Sequence, residues 1–561
     1  ICYSPDRNYL LFVVDLQGLE IFTTFILDVD SKSFLEELTY SGPLIWLSNS
    51  KAFLYESSDD YGKFRWSSVK KHIIGTEQKE DEVIHYEADE ANGIFLTVAK
   101  SEDGNFIYLD RTSSKSSEYR FMEYNQPDAE FKIFSPLVEG EQYKPFCFDG
   151  YFYIICNTDN APNFKLMKTS LDKTEKQYWQ EIIPHSEDTY FTAQNVWELD
   201  YSVRQFKDYL VFKVFHNGKQ KIRYINTTTD EIKEIKLDID YPFYEITLYK
   251  NEFKSACLKF SIQSYSIPRK VYEFDLERAE LKFVSQDKYK GFNQELYASE
   301  IVWATSPEGI KIPISLFYRK DLFKKDGTNP FFLEAYGAYG AHDYEYFDSK
   351  KLSLVDRGFV CGEAHVRGGG YLGKQWHLDG IGRNRVNRFK DFITCSEYLI
   401  QEKYTTSDKL VAYGRSAGGQ IMGAVLNMRP DLYKCVLVIV PGMDVLNAFY
   451  DKGWHLINDE IPEEGDIENK KDFEAMLARD PYYQIKATNF PHVFTTASLN
   501  DSRAYFWRPL KWFCKLREFN TGNNIQIIKT EDTGHWSGTD KYSGENHFAE
   551  LYAFAIWVLG K

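Results

Sequence analysis

One serine is held between glycines at the point where a strand runs into a helix. The stretch reads LVAYGRSAGGQIMGAVLNM. Leu410 to Tyr413 are apolar or aromatic, Gly414-Arg415-Ser416-Ala417-Gly418 follows, and a helical run extends from Gln420 to Met428. In a parallel sheet, loops at the strand tips build the site. A Gly-x-Ser-x-Gly turn there forces the serine into a strained backbone conformation. Its glycines are needed because a Cβ would clash with the neighbouring strand or helix. The strain lifts the hydroxyl into a cleft at a helix N-terminus, where the Ala417 amide can donate to a developing oxyanion. The motif alone is common, and a small-residue helix start is the plainer reading. Its strand-turn-helix setting makes Ser416 a candidate nucleophile.

The rest of the C-terminal half supplies that setting. PFFLEAYGAYG, GFVCGEAHVRGGG, KLVAYGRSAGG, KCVLVIVPGMD and HVFTTASLNDSR are compact apolar strands. Helical stretches such as RVNRFKDFITCSEYLIQEKY and AYFWRPLKWFCKLREFN lie between them, and NHFAELYAFAIWVLG closes the chain. Alternating strands and helices predict a mostly parallel α/β sheet with helices on both faces.

A serine hydroxyl needs a base, and the base needs an orienter. In an α/β-hydrolase the chain order is serine, acid, histidine. Four histidines follow Ser416: His455, His492, His535 and His547. His535 lies in the Gly-containing loop TEDTGHWSG, between the strand NIQIIKT and the last helix, and a loop can deliver an imidazole to the serine. His547 opens the last helix and reads as surface or cap. His492 starts a buried strand and reads as structural. His455 lies in an irregular segment. Asp501 ends HVFTTASLNDSR just before a helix, where the acid belongs; a helix cap is its plainer reading. Asp444, in PGMDVLN, is the rival acid but comes one strand too early. A tyrosine hydroxyl in AYGAYGAHDY could supply a second oxyanion donor, although a Gly-Tyr loop is also ordinary turn chemistry.

The N-terminal half has another pattern. Short aromatic, alternating strands pair through polar turns, as in NYLLFVVDLQGLEIFTTFILDVD, KAFLYESSDDYGKFRWSSVKK and YLVFKVFHNGKQKIRYINTTTD. The hairpins recur about every 40 to 60 residues, the length of one four-stranded propeller blade. About six units are countable; the chain begins in mid-strand, and an upstream segment would complete a seventh blade. The expected fold is thus a seven-bladed β-propeller over residues 1–295 and an α/β-hydrolase domain over 296–561, the pattern changing near Tyr297. An aromatic share of 17% fits so much strand.

Composition narrows the partners. The formal charge of −16 argues against nucleic acid. It fits a chain kept apart by self-repulsion, or one with acid lining a cavity for cationic ligands. Eight cysteines are scattered without a CxxC pair, which suggests reduced core residues in a cytoplasmic protein rather than a zinc site or disulfide framework. No run of about 18 apolar residues is present, and no signal peptide is visible. No metal or organic cofactor is implied.

Together, YGRSAGG with MGAVLNMRPDLYK, AHVRGGGYLGKQWHLDG, AYGAYGA, NDSRAYFWRPLKWFCKLRE and GHWSGTDKY resemble the prolyl oligopeptidase family of serine peptidases. These motifs span almost all of the second half; the first half resembles the family by architecture. The resemblance implies a triad of Ser416, Asp501 and His535, and an oxyanion hole of the Tyr336 hydroxyl and the Ala417 amide. It implies that Arg503 holds a substrate carbonyl. It also implies a propeller cap that admits only short peptides. Members that cleave after arginine or lysine use acidic residues in a stretch close to Gly-Glu-aromatic-Glu-Glu-Trp-Gly. Here NDEIPEEGD stands in that place, read as a loop. Glu460 matches the first acid, Pro462 replaces the second unless a one-residue shift brings in Glu463, and Glu464 replaces the tryptophan. The expectation is a serine oligopeptidase that cleaves after basic residues. An esterase or thioesterase would carry the same triad, and a propeller binding protein with a vestigial triad is the third class.

Overall fold

The computed structural model describes residues 1–561 apart from 17–19, 59–65, 89–92, 149, 195, 343–344, 452–453, 537, 539–541 and 561. The alternating N-terminal segments form six antiparallel sheets in succession. They run from Cys2–Tyr3 to Ser33–Thr39, Ser41–Trp46 to Glu82–Tyr86, Phe95–Lys100 to Lys132–Ile133, Tyr143–Phe148 to Gln180–Ile183, Thr189–Tyr190 to Ile232–Glu234, and Glu245–Leu248 to Glu280–Gln286. Five are four-stranded meanders in chain order; the fifth sheet carries an extra strand, Val203–Phe206. These are propeller blades, six among the described residues, as the hairpin spacing predicted. The turn of KAFLYESSDDYGKFRWSSVKK lies outside the described residues.

The chain divides into two compact units. The first comprises Ile1–Val214, Ile222–Glu234 and Lys250–Cys257, and the second Phe215–Lys221, Ile235–Tyr249 and Leu258–Lys561. Within the first unit, the first two sheets share a polar clamp. Buried His72, on Ser68–Ile73, places Nε2 2.7 Å from Glu36 of the first sheet and Nδ1 2.8 Å from Asp81. The Tyr55 hydroxyl donates to the other Asp81 oxygen at 2.7 Å. The apolar side chains Leu11, Ile26, Leu38, Trp46 and Phe53 pack beside it.

The second unit contains one eight-stranded sheet. Its strands are β1 Tyr297–Thr305, β2 Lys311–Arg319, β3 Phe331–Glu334, β4 Val360–Ala364, β5 Leu410–Arg415, β6 Cys435–Ile439, β7 His492–Ser498 and β8 Gln526–Glu531. Their order is β1-β2-β4-β3-β5-β6-β7-β8. β1, β2 and β4 pair antiparallel, and every neighbour from β4 to β8 is parallel. Strands covered on both faces read as unbroken apolar runs, and β6, CVLVI, is buried at every residue. The helices used below are α1 Val386–Gln401, α2 Ala417–Met428, α3 Ile457–Glu464, α4 Lys470–Arg479, α5 Trp507–Phe519 and α6 Ser543–Val558. Phe389 and Phe392 of α1, Ile421 and Val425 of α2 and Trp512 of α5 build one core. Leu551, Tyr552 and Phe554 of α6 build the other, with Phe332, Val411 and Leu437 from the sheet. Both faces are therefore covered, and the C-terminal strand tips are left for loops. No helix among the described residues is long and apolar enough to cross a membrane.

The clamp gives a pH-dependent stability. Burial by itself disfavours the His72 cation, but Asp81 and Glu36 outweigh it and raise its pKa. Its contribution is full below about pH 6.5 and fades as pH rises through the higher folded value. His72→Gln should cost about 1.5 to 3 kcal/mol at pH 5.5 and clearly less at pH 8.5, measured by urea unfolding. Equal losses at both values would show that the imidazole is held neutral.

Candidate active site

Backbone lies against backbone where β5 turns into α2. A Cβ on Gly414 would stand 2.3 Å from the Gly418 carbonyl oxygen, and one on Gly418 2.3 Å from that of Ala335. No side chain fits at either position. Ser416, between them, has φ 53° and ψ −118°, a conformation that costs a non-glycine residue about 1 to 3 kcal/mol. Its amide donates to the Ile439 carbonyl of β6 at 2.9 Å. The strained turn is thus tied to the next strand, with the hydroxyl at the start of α2.

The His535 Nε2 stands 3.1 Å from the Ser416 Oγ, and its Nδ1 stands 2.7 Å from Asp501 Oδ2. Asp501 follows β7 and is buried. Its other oxygen accepts the amides of Arg503 and Ala504 at 2.9 and 2.8 Å. One oxygen therefore holds a turn while the other faces the imidazole. An ionised carboxylate only accepts, so the proton belongs on Nδ1 and the Nε2 lone pair faces the serine hydroxyl. The arrangement can take a proton from Ser416 during attack on a carbonyl. Arg415 adds a hold from the strand side, donating to the His535 carbonyl at 2.5 Å. The guanidiniums of Arg415 and Arg503 lie 5.2 and 5.7 Å from the centre of the Trp536 ring.

The other sequence candidates go elsewhere. Asp444 pairs with Lys511 and accepts from Asn447 at 2.6 Å. His492 accepts the Ile525 amide at 3.1 Å, a structural tie at the sheet edge. His455 lies in the turn before α3. His547, read as surface or cap, is instead buried, with Nδ1 3.8 Å from Glu531; the helix start it occupies packs inward on the sheet.

Tyr336 follows β3. Its Cα would lie 3.3 Å from a Cβ at Gly418, so its backbone rests on the first turn of α2. Burial, reinforced by the nearby Glu460 carboxylate, pushes its hydroxyl up to about 12. It stays a donor across the working pH range.

The acidic stretch read as a loop is a helix, α3, with Pro462 inside it and Gly465 (φ 103°) ending it. Proline removes one backbone donor there, and buried ion pairs hold the segment. Glu463 places Oε1 2.5 Å from His377 Nε2 and Oε2 3.1 Å from Arg385. Glu464 lies 3.0 Å from both Arg385 and Arg479 and accepts the Gln420 side-chain Nε2 at 3.0 Å. Burial would raise both carboxyls. The His377 contact and Arg385 hold Glu463 low instead, and Arg385 and Arg479 hold Glu464 down at about 2. Glu460 differs. It is buried and accepts the Tyr339 hydroxyl at 2.6 Å. Among the described residues, no basic side chain forms an ion pair with it. Burial pushes it up to about 7, with Arg385 pulling the other way. Sequence reasoning missed Arg385, Arg388, His377, Gln420 and Tyr339. The one visible signal was the spacing of Arg385 and Arg388, three apart at the start of a helix.

Comparison with known proteins agrees with this architecture. The model described as "Prolyl oligopeptidase family" matches residues 345–561, and that described as "Prolyl oligopeptidase, N-terminal beta-propeller domain" matches 1–287. A relative from Pseudoxanthomonas mexicana, named dipeptidyl aminopeptidase BI, is 31% identical over 99% of this chain and 75% of its own length. Protease 2 of Moraxella lacunata is 27% identical over 99% of this chain and 79% of its own. Among solved structures, oligopeptidase B from Leishmania major superposes with a TM-score of 0.92 at 27% identity, covering 99% of this chain and 78% of that one. Oligopeptidase B from Trypanosoma brucei, with covalently bound antipain in a closed form, gives 0.91 at 29%, covering 100% and 78%. The fold is thus an N-terminal β-propeller with an α/β-hydrolase domain.

Gly418→Ala tests the backbone contact. The added methyl would meet the Ala335 carbonyl and the Tyr336 Cα, and we expect a destabilisation of about 1 to 3 kcal/mol in chemical unfolding. Labelling of Ser416 by a fluorophosphonate should slow at the same time. Unchanged stability and labelling would show that the turn relaxes freely.

Proposed function

Because the chain belongs to the prolyl oligopeptidase family and is a serine peptidase, we propose that it cleaves short peptides after arginine or lysine through an acyl-enzyme on Ser416. Ser416 Oγ attacks the scissile carbonyl while His535 Nε2 takes its proton. Asp501 holds the imidazole tautomer and faces the cation that forms. The Tyr336 hydroxyl and the Ala417 amide donate to the oxyanion. Collapse of the tetrahedral adduct breaks the C–N bond, and His535 returns the proton to the leaving amine. Water, deprotonated by His535, then releases the acyl group from Ser416. Arg503 holds a substrate carbonyl. The propeller is assigned to residues 1–295 and the peptidase domain to 296–561. The two family matches and the start of the large sheet at Tyr297 support that division. Eight free cysteines support a reducing, cytoplasmic setting.

The observation that carries the basic specificity is Glu460, a buried carboxylate with a hydroxyl partner and no ion pair among the described residues. A guanidinium leaving water needs such a partner. Glu463 and Glu464 already have theirs, so Glu463 takes the lesser part in reading charge.

Ser416→Ala should lower kcat by about 10⁴ to 10⁶; a variant that keeps a tenth of the activity would remove Ser416 from the mechanism. Glu460→Gln should lower kcat/KM for Arg substrates by about 10 to 10³ and change neutral substrates much less. In the native protein, the Arg-to-neutral ratio of kcat/KM should climb as pH rises through about 7, where Glu460 ionises. The ratio cancels the titration of the base that both substrates share. A flat ratio, or equal losses in the variant, would end the Glu460 assignment. The panel includes blocked and free amino termini two residues before the cut, given the dipeptidyl aminopeptidase name of one relative.

A further inference from the structure

The two oxyanion donors come from different segments. The Tyr336 hydroxyl belongs to the loop after β3, and the Ala417 amide to the first turn of α2. No covalent link sets their separation. Arg388, on α1, is fully buried and touches both segments. Its Nη1 donates to the Gly337 carbonyl at 3.1 Å and its Nη2 to the Ala417 carbonyl at 3.3 Å. Nη2 is also held by the Gln420 side-chain oxygen, and Gln420 is in turn fixed by Arg385 at 3.2 Å and Glu464 at 3.0 Å. Among the described residues no carboxylate pairs directly with Arg388. A buried guanidinium with carbonyl and amide partners alone is a costly choice if the need is only to fill space. Gly337 takes φ +58° beneath it, and a Cβ there would stand 2.3 Å from Val366, so the loop has a single seat.

We infer that Arg388 is a positioning residue for the oxyanion hole: its rigid fork grips the carbonyl one residue after Tyr336 and the carbonyl of Ala417, and so sets the gap between the two donors. This rests on the oxyanion reading above and adds what holds that hole to size. A hole of fixed width favours the tetrahedral adduct over the planar substrate. The effect should therefore fall on kcat. A lysine can reach one carbonyl but lacks the planar fork that spans two.

The test uses the full chain with Arg388→Met, Arg388→Lys, Tyr336→Phe and the Arg388→Met/Tyr336→Phe double variant. Probes are the best-cleaved peptide, its aldehyde, which forms the tetrahedral adduct with Ser416, and its carboxylate product. We expect Arg388→Met to lower kcat by about 10 to 100-fold with KM within about threefold. Aldehyde affinity should fall in parallel and product affinity should hold. Arg388→Lys should lie between wild type and Arg388→Met. The double variant should lose little more than the worse single one, because both act on one hole. If Arg388→Met does not fold, Arg388→Lys carries the test, with about a three- to tenfold loss in kcat expected. Unchanged kcat in the folded variant, a loss seen only in KM, or losses that multiply in the double variant would each overturn the inference. Tyr336→Phe with full kcat would remove the oxyanion reading and this inference with it. Loss in Tyr336→Phe beside full activity in the Arg388 variants would remove this inference alone.

Discussion

The contact between Gly418 and the Ala335 carbonyl is the constraint on which the catalytic domain turns. It brings the chain leaving β3 against the chain entering α2 with no side chain between them. Because the segments touch, Tyr336 lies beside the helix start that Ser416 opens. Because Gly414 lies under Gly418, the turn is too tight for relaxed φ and ψ at the serine. The strain at Ser416 is therefore a product of packing, held in place by a hydrogen bond from its amide to the Ile439 carbonyl of β6. The placing of Tyr336 beside α2 and the strain at Ser416 share one cause.

Charge is arranged around this turn in two ways. Arg385 and Arg479 saturate Glu464, and Arg385 with His377 saturates Glu463, all of them buried. Such pairs stabilise little beyond their own desolvation. Their effect is to hold α3 across the start of α2, through Gln420. Glu460 sits on the same helix outside that pairing, poised near neutrality. Among the described residues, its one side-chain partner is a neutral hydroxyl, that of Tyr339.

The sequence revealed what depends on local rules. The Gly-x-Ser-x-Gly turn, the strand before it and the helix after it are set by residues within about ten positions. The chain order of an α/β-hydrolase then pointed to Asp501 and His535, which the fold brings into line with Ser416. Blade count was legible for the same reason, since each hairpin announces itself by alternation and a turn. What depends on distant partners was not legible. NDEIPEEGD reads as a loop, and α3 is held because Glu463 and Glu464 meet His377 and Arg385, 78 to 86 residues before Glu463, and Arg479 on the following helix. His547 looked exposed at a helix start because nothing nearby in sequence tells that this end faces the sheet. Arg388 read as one more charge in RNRVNRFKD, and only the folded chain shows its fork between two carbonyls.

Arg415 sits next to Ser416 and donates to the backbone carbonyl of His535. Its bond ends on a carbonyl, so it holds the loop that carries His535 whatever the imidazole is doing. A departure of that loop must break a bond to the residue beside Ser416 as well as the line through Asp501. Seating of the base is thus registered at the nucleophile's own strand.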